Sequence, residues 1–203
     1  MGSTVPSSPP PTVQIREARP SDAPAVAALG AAVFRSTFED SGCTPEQLEQ
    51  YLAESYSTTA IGADIADPSK TLLVAVEPAR DPGPGPAGSP GGGAATAIMG
   101  FALMTRGSHV HEPCVRHLAA PVELQRLYVG LGQHGRGVGR ALAEAVIALA
   151  RGEGFEHMWL GVWEENHRAQ KIYGKLGFTR IGEHVFDVGG DLQTDEIIAG
   201  KLA

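Results

Sequence analysis

"QHGRGVGRALAEA", residues 133–145, runs from closely spaced glycines into an alanine-rich helix, directly behind the apolar stretch "LQRLYV" at 124–129. With "HMWLGVW" at 157–163 following, the order strand, glycine turn, helix, strand describes one β-α-β crossover. Gly135, Gly137 and Gly139 let backbone N–H groups converge with no side chain in the way, at a helix start whose dipole adds partial positive charge. Arg136 and Arg140 add fixed charge beside them. The turn reads as a cradle for a pyrophosphate, with a plain tight turn into a helix as the alternative.

Two phosphate patterns overlap here. "GLGQHG", 130–135, formally matches the G-x-G-x-x-G dinucleotide fingerprint. That fingerprint belongs early in a large parallel sheet, with an acidic residue about 20 positions further on. Here the crossover comes late, and Glu164 lies about 30 positions on, so a nicotinamide-dependent oxidoreductase is a remote alternative. No G-x-x-x-x-G-K-[ST] occurs. In the other register, "HGRGVG" (134–139) resembles the Q/R-x-x-G-x-G/A pyrophosphate loop of the GNAT superfamily of N-acetyltransferases, departing from it by His134 at the first position.

The second half extends the resemblance. "WLGVWEENHRAQKIYGKLGF" resembles that superfamily's strand, splayed turn and helix, with Asn166, Ala169, Tyr173, Gly177 and Phe178 in the N-x-x-A-x-x-x-Y-x-x-x-G-F spacing. "ELQRLYV", "WLGVWEEN", "GEHVFDVGGDLQTDEIIAGKL", "FRSTFED" and "YLAESYS" are similar to PaiA-type acetyltransferases, which act on spermidine and spermine. The resemblance runs from about residue 12 to the end. It implies an α/β GNAT fold, a mixed, mostly antiparallel seven-stranded sheet with helices on both faces, and acetyl-CoA as co-substrate.

It also implies roles. The backbone of Leu127, Tyr128 and Val129 would hold the pantetheine arm, and the turn, His134 through Arg140 with Val138, the pyrophosphate. Direct attack by a free amine needs no enzyme nucleophile, and the sequence offers no Cys or Ser placed like one. The chemistry does need a base for the ammonium and an acid for the departing thiolate. Tyr173, with a hydroxyl that stays protonated at neutral pH, is the candidate acid; because Ala169, Ile172 and Leu176 share its helical face, a core role is the alternative. Asn166 is a candidate CoA contact or an ordinary helix cap. The related polyamine enzymes carry a Glu where this chain has Gln125, which cannot take a proton. Glu123, two residues earlier on the same strand face, could act through a water, or be a solvated strand-end carboxylate.

The remainder is bounded by composition. At 203 residues and 42% hydrophobic, the chain is expected to form one soluble domain over 12–203. Residues 1–11 read as a disordered tail without signal-peptide features. "PARDPGPGPAGSPGGGA", Pro78 to Ala94, is a Pro/Gly-rich loop insertion that can bury almost nothing. The apolar runs fall far short of the roughly 18 residues a bilayer span needs. Cys43 and Cys114 are far apart, in no zinc or disulfide pattern, which fits a reducing cytoplasm. His109, His111, Cys114 and His117 match no zinc spacing, so no metal is expected and the loop is placed at the border of the acceptor site.

Net charge is −7, and the excess sits between Ser36 and Ser69, a stretch with Glu39, Asp40, Glu46, Glu49, Glu54, Asp64 and Asp67 and no Lys or Arg. This argues against nucleic acid as a partner. Either the block is a solvated face or Glu46 and Glu49 with their neighbours attract a small polycationic acceptor. Acetylation of another amine, on an amino acid or peptide, and a non-catalytic acyl-CoA sensor are the alternative functions; a homodimer stays open.

Overall fold

The structure, a computed structural model, describes residues 13–39, 41–78 and 97–202. The expected tail at 1–11 and all of the Pro/Gly insertion beyond Pro78 lie outside the described residues, as does Asp40. The chain runs β1 (Gln14–Glu17), α1 (Ala23–Phe38), α2 (Pro45–Ser55), α3 (Thr58–Ala66), β2 (Lys70–Val76), β3 (Ile98–Thr105), β4 (Pro121–Val129), α4 (Val138–Gly152), β5 (His157–Trp163), α5 (His167–Lys175), β6 (Thr179–Val188) and β7 (Asp191–Lys201). Seven strands form one sheet in the order β1-β2-β3-β4-β5-β7-β6. Only β4 and β5 are parallel, joined by α4 as the glycine turn implied.

Each face of the sheet carries its own core. Leu142, Val146 and Ala150 recur along α4 at helical spacing and pack on Ala102, Met104, Leu124, Met158 and Leu160. On the other face, Val26, Phe34 and Phe38 of α1, Leu48 and Leu52 of α2 and Ile61 of α3 cover Leu72, Val74, Phe101 and Leu103. The strands alternate between these two sets, as a sheet buried on both sides requires. Helices therefore lie on both faces.

The chain enters α1 through a 3-10 turn at Pro20–Asp22, and the helix starts at Ala23 with Asp22 as cap residue. Asp22 is held by Arg16, at 2.6 Å, and by the Arg19 N–H, at 2.7 Å; that clamp sets the start. Helix α3 is capped by Ser57, whose side chain accepts from the Ala60 N–H. A capping box opens α2 at Thr44. Thr44 Oγ1 accepts from the Gln47 N–H and Gln47 Oε1 from the Thr44 N–H.

Helix α2 is fixed over the β6–β7 turn by an intimate contact. Gly189 has φ +61°, and a Cβ on it would overlap the Gln47 backbone carbonyl. Gly189→Ala is expected to destabilise the fold by about 3 kcal/mol, because strain and overlap act together. Chemical denaturation measures this. A loss below about 1 kcal/mol would mean that α2 is not docked on the turn.

Candidate active site

β4 and β5 pair only over Pro121–Glu123 and His157–Trp159, then part. From Leu124 and Leu160 onward they border a cavity of about 1080 Å³ that extends from the glycine turn to the aromatic side chains under α1 and α2. The splay thus opens a passage through the sheet. Backbone groups of β4 facing the gap are left without a strand partner there, and such groups seek a polar ligand.

At one mouth sits the glycine turn. Gly135 and Gly137 have φ near +80°, and Gly137 is the cap residue of α4. Ala141 is the first residue whose N–H finds the carbonyl four back, that of Gly137 at 2.9 Å. The N–H groups of Val138, Gly139 and Arg140 are therefore open at a helix N-terminus, the arrangement that receives phosphate oxygens. His134, Gly135, Gly137, Val138, Gly139 and Arg140 line the cavity; so do Leu127, Tyr128 and Val129 of β4, and Asn166 at the start of α5. The Asn166 side chain accepts from the Ala169 N–H, so the cap reading holds structurally while the residue also borders the cavity. Arg136 is the exception among the turn residues. Its guanidinium turns to Glu77 at 3.0 Å and to Gln133, and Arg136 itself does not line the cavity. An exposed Arg140–Glu144 pair, four residues apart on one helix turn, holds the other arginine loosely.

A bulge in β4 arranges the centre. Leu103 pairs with Arg126 and Met104 with Leu124, so Gln125 is an extra residue. Strict alternation would send Arg126 to the opposite face from Glu123 and Tyr128 to the α4 side. Instead Leu127 and Val129 pack with the α4 core, and Tyr128 with the α1 core. Arg126 stands over the Tyr56 ring, 4.8 Å from its centroid, and donates to Asp64 at 2.9 Å. Gln125 accepts from the Thr105 hydroxyl at 2.7 Å. Burial pushes the Glu123 carboxyl above the ordinary range. That is inconsistent with a freely solvated strand-end group.

Tyr173 lines the cavity from α5, on the α4 side of the sheet, with its ring 5.6 Å from that of Phe178. Burial pushes its hydroxyl up to about 12, so it is a proton donor at neutral pH. On the other side Phe34, Phe38, Tyr51, Trp163 and Phe186 form a continuous aromatic wall, with Phe34–Phe38 centroids at 4.3 Å and Phe38–Trp163 at 4.8 Å. Into this wall β7 inserts Asp195, and β6 His184.

The acidic block does not gather at the cavity. Glu49 is exposed and pairs with Arg35, Glu46 is exposed, and neither lines it. Asp64 is taken up by Lys70 and Arg126. These carboxylates fall on the outer side of α2 or in ion pairs, because the inner side of α2 is filled by Leu48 and Leu52. The carboxylates facing the cavity are Glu123, Asp195 and, on α4, Glu144. Asp195 was missed, although it stands in phase with the buried Ile197 and Ala199. An acid on the inward phase of a strand is the signal that could have found it. His109, His111 and His117 do not line the cavity; the loop that carries them approaches it through Glu112, which meets His184. Among the described residues, no group of three or more His, Cys, Asp or Glu is placed to hold a metal, and no helix is long and apolar enough to cross a membrane.

A split sheet with open helix N–H groups at one mouth and carboxylates at the other is the framework of an acyl-CoA-dependent transferase. The chain has the mixed, mostly antiparallel GNAT fold, and over residues 90–178 it matches the model of the acetyltransferase (GNAT) family. It is 28% identical over 181 residues to an uncharacterised N-acetyltransferase of Mycobacterium bovis, covering 89% of this chain and 98% of that protein. A shorter match, 39% over 66 residues, links 32% of this chain to 22% of the mycothiol acetyltransferase of Beutenbergia cavernae. Among solved structures, the PaiA N-acetyltransferase of Thermoplasma acidophilum in complex with coenzyme A superposes with a TM-score of 0.66 at 18% identity, over 94% of this chain and 99% of that one.

Proposed function

We propose that the protein transfers the acetyl group of acetyl-CoA to the primary amine of a small cationic acceptor that enters on the aromatic side of the sheet. The observation that carries this is the through-sheet cavity, with a protonated hydroxyl, Tyr173, on one side and two half-buried carboxylates, Glu123 and Asp195, on the other. Acetyl-CoA, when bound, supplies an activated thioester. The open N–H groups of Val138, Gly139 and Arg140 suit its pyrophosphate, with His134, Arg140 and Asn166 beside it and the free backbone edge of Leu127, Tyr128 and Val129 suited to its amide-bearing arm. Tyr173 would act as acid toward the departing sulfur. Glu123 and Asp195 favour an ammonium in the acceptor chamber, and the aromatic faces around them add cation–π attraction.

A polyamine such as spermidine or spermine is the acceptor that the PaiA-like sequence features favour, and the paired carboxylates support it. Arg126, which lines the same chamber, favours a second reading, an amino acid or peptide whose carboxylate the guanidinium would meet. Release of CoA thiol measured with a panel of amines tests both. Faster turnover of spermidine than of simple monoamines and amino acids is the expected result; no amine-dependent thiol release from any of them would reject the proposal.

The outer acidic residues are expected to contribute little. Replacing Glu46 and Glu49 together by Gln should change kcat/KM for spermidine by less than about twofold, since exposed carboxylates are largely screened. A tenfold fall would return them to the acceptor path.

A further inference from the structure

Behind the aromatic wall lies a chain of titratable groups that the superfamily's turn and helix motifs do not include. Asp195 Oδ2 is 3.8 Å from His184 Nε2, and His184 Nδ1 is 2.7 Å from Glu112 Oε2. The other Glu112 oxygen accepts from the Cys114 thiol at 2.9 Å. Glu112 is only 7% exposed, Asp195 and His184 line the cavity, and the His184 side chain is 37% exposed. The chain thus leads from the acceptor chamber toward solvent.

Resting on the acetyl-transfer reading above, we propose that Asp195 takes the proton from the acceptor's ammonium and passes it through His184, which Glu112 orients, to the outside. Burial pushes the Glu112 carboxyl up, but hydrogen bonds from Cys114 and His184 outweigh it and hold the group below its usual range. Glu112 is therefore an anion and must accept, so Nδ1 of His184 carries the hydrogen and Nε2 presents its lone pair to Asp195. At 3.8 Å that contact is too long for a hydrogen bond, and it needs only a small ring movement or one water to become one. One N–H bond of the ammonium breaks and an O–H bond forms on Asp195. That proton then moves to Nε2, and the imidazolium, paired with Glu112, releases it at its exposed edge. Glu112 is a positioning residue; Asp195 is the group that meets the amine.

Burial pushes the Asp195 carboxyl up to about 6, with His184 pulling it down. The titratable groups facing it are His184 from β6, Tyr51 from α2 and Tyr128 from β4. Both phenols are raised and neutral at the pH of interest, Tyr128 to about 12, which leaves His184 as the proton partner. Glu123 on β4 also faces His184, and a hydrogen bond to Ser108 engages it; in this assignment it supplies negative charge to the chamber.

The test is the pH profile of kcat/KM for the amine. The native enzyme is expected to lose activity as pH falls through about 6, where Asp195 becomes protonated. Asp195→Asn should lower kcat/KM about 30-fold at pH 7, abolish that limb, and recover toward high pH. The loss stays below the full range for acid–base catalysis because amine already deprotonated in solution bypasses the step. Glu112→Gln should lower kcat several-fold and move the limb with CoA affinity unchanged; a merely structural Glu112 would alter stability and leave the limb in place. Glu123→Gln should keep the limb. If Asp195→Asn does not fold, as judged by melting and CoA binding, His184→Asn is read by the same criteria. A folded Asp195→Asn that retains rate and limb, or a limb lost with Glu123→Gln, overturns the assignment. Absence of amine-dependent turnover in the native enzyme would instead reject acetyl transfer to amines.

Discussion

Tyr173→Phe is expected to lower kcat by about 300-fold while leaving the melting temperature and the KM for acetyl-CoA nearly unchanged. Tyr173 packs on the α4 side of the sheet and Asp195 faces the aromatic side, so an amine approaching from the aromatic side and a sulfur departing toward α5 would meet different groups. Burial keeps the phenol protonated up to about 12, and no hydrogen bond ties it down among the described residues. Phe preserves the ring contact with Phe178 and the packing of α5 on the α4 core. What disappears is a donor used as negative charge develops on sulfur or carbonyl oxygen, and losses of a single such donor fall at about a hundred- to a thousandfold. An interaction made only in the transition state lowers kcat and kcat/KM together and spares KM, which single-turnover and steady-state measurements separate. Full activity in a folded Tyr173→Phe would make the residue an ordinary core aromatic.

The turn that holds CoA in this reading was legible in the sequence because glycine spacing, a preceding strand and a following alanine-rich helix are all local features. The same holds for Asn166 at the start of α5. The seven-stranded, mostly antiparallel sheet was implied by the resemblance, and the parallel pair by the β-α-β pattern. Residues on the acceptor side were harder. Asp195 and Glu112 are 83 positions apart in the chain; they share a site only because β6 and β7 fold back beside β5 and because the loop before β4 reaches under β6. Arg126 was hidden for a different reason. Period-two alternation fails at a bulge, and nothing local marks Gln125 as the extra residue. The acidic block misled because charge density along a chain says nothing of which side of a helix faces the sheet; Glu46 and Glu49 share α2 with Leu48 and Leu52 yet point the other way.

Gly137→Val is expected to raise the KM for acetyl-CoA about a hundredfold and to change the KM for the amine far less. Nothing lies within 4 Å of a Cβ built at Gly137, so steric crowding by the protein is not the cause. The cause is conformation. Gly137 caps α4 at φ +80°, a backbone state that a β-branched residue adopts only at a cost of about 1–3 kcal/mol. To escape it the turn must rotate, and the peptide planes that aim the N–H groups of Val138 and Gly139 rotate with it. Each hydrogen bond to a charged phosphate oxygen is worth about 1.5–3 kcal/mol, so relaxing the strain forfeits the donors and keeping the donors retains the strain. The cheaper of the two, up to about 3 kcal/mol, is lost from CoA binding, which corresponds to roughly two powers of ten. The amine chamber lies on the other side of the sheet, bounded by α1, β6 and β7, and is untouched by the turn. Calorimetric titration with CoA, together with KM values for both substrates, measures the asymmetry. Gly137→Ala should show the same pattern at smaller size, because the missing β-branch eases the left-handed state only in part. A folded Gly137→Val that binds CoA as tightly as the native protein would remove the turn from the binding site and leave the gap between β4 and β5 to hold the ligand alone.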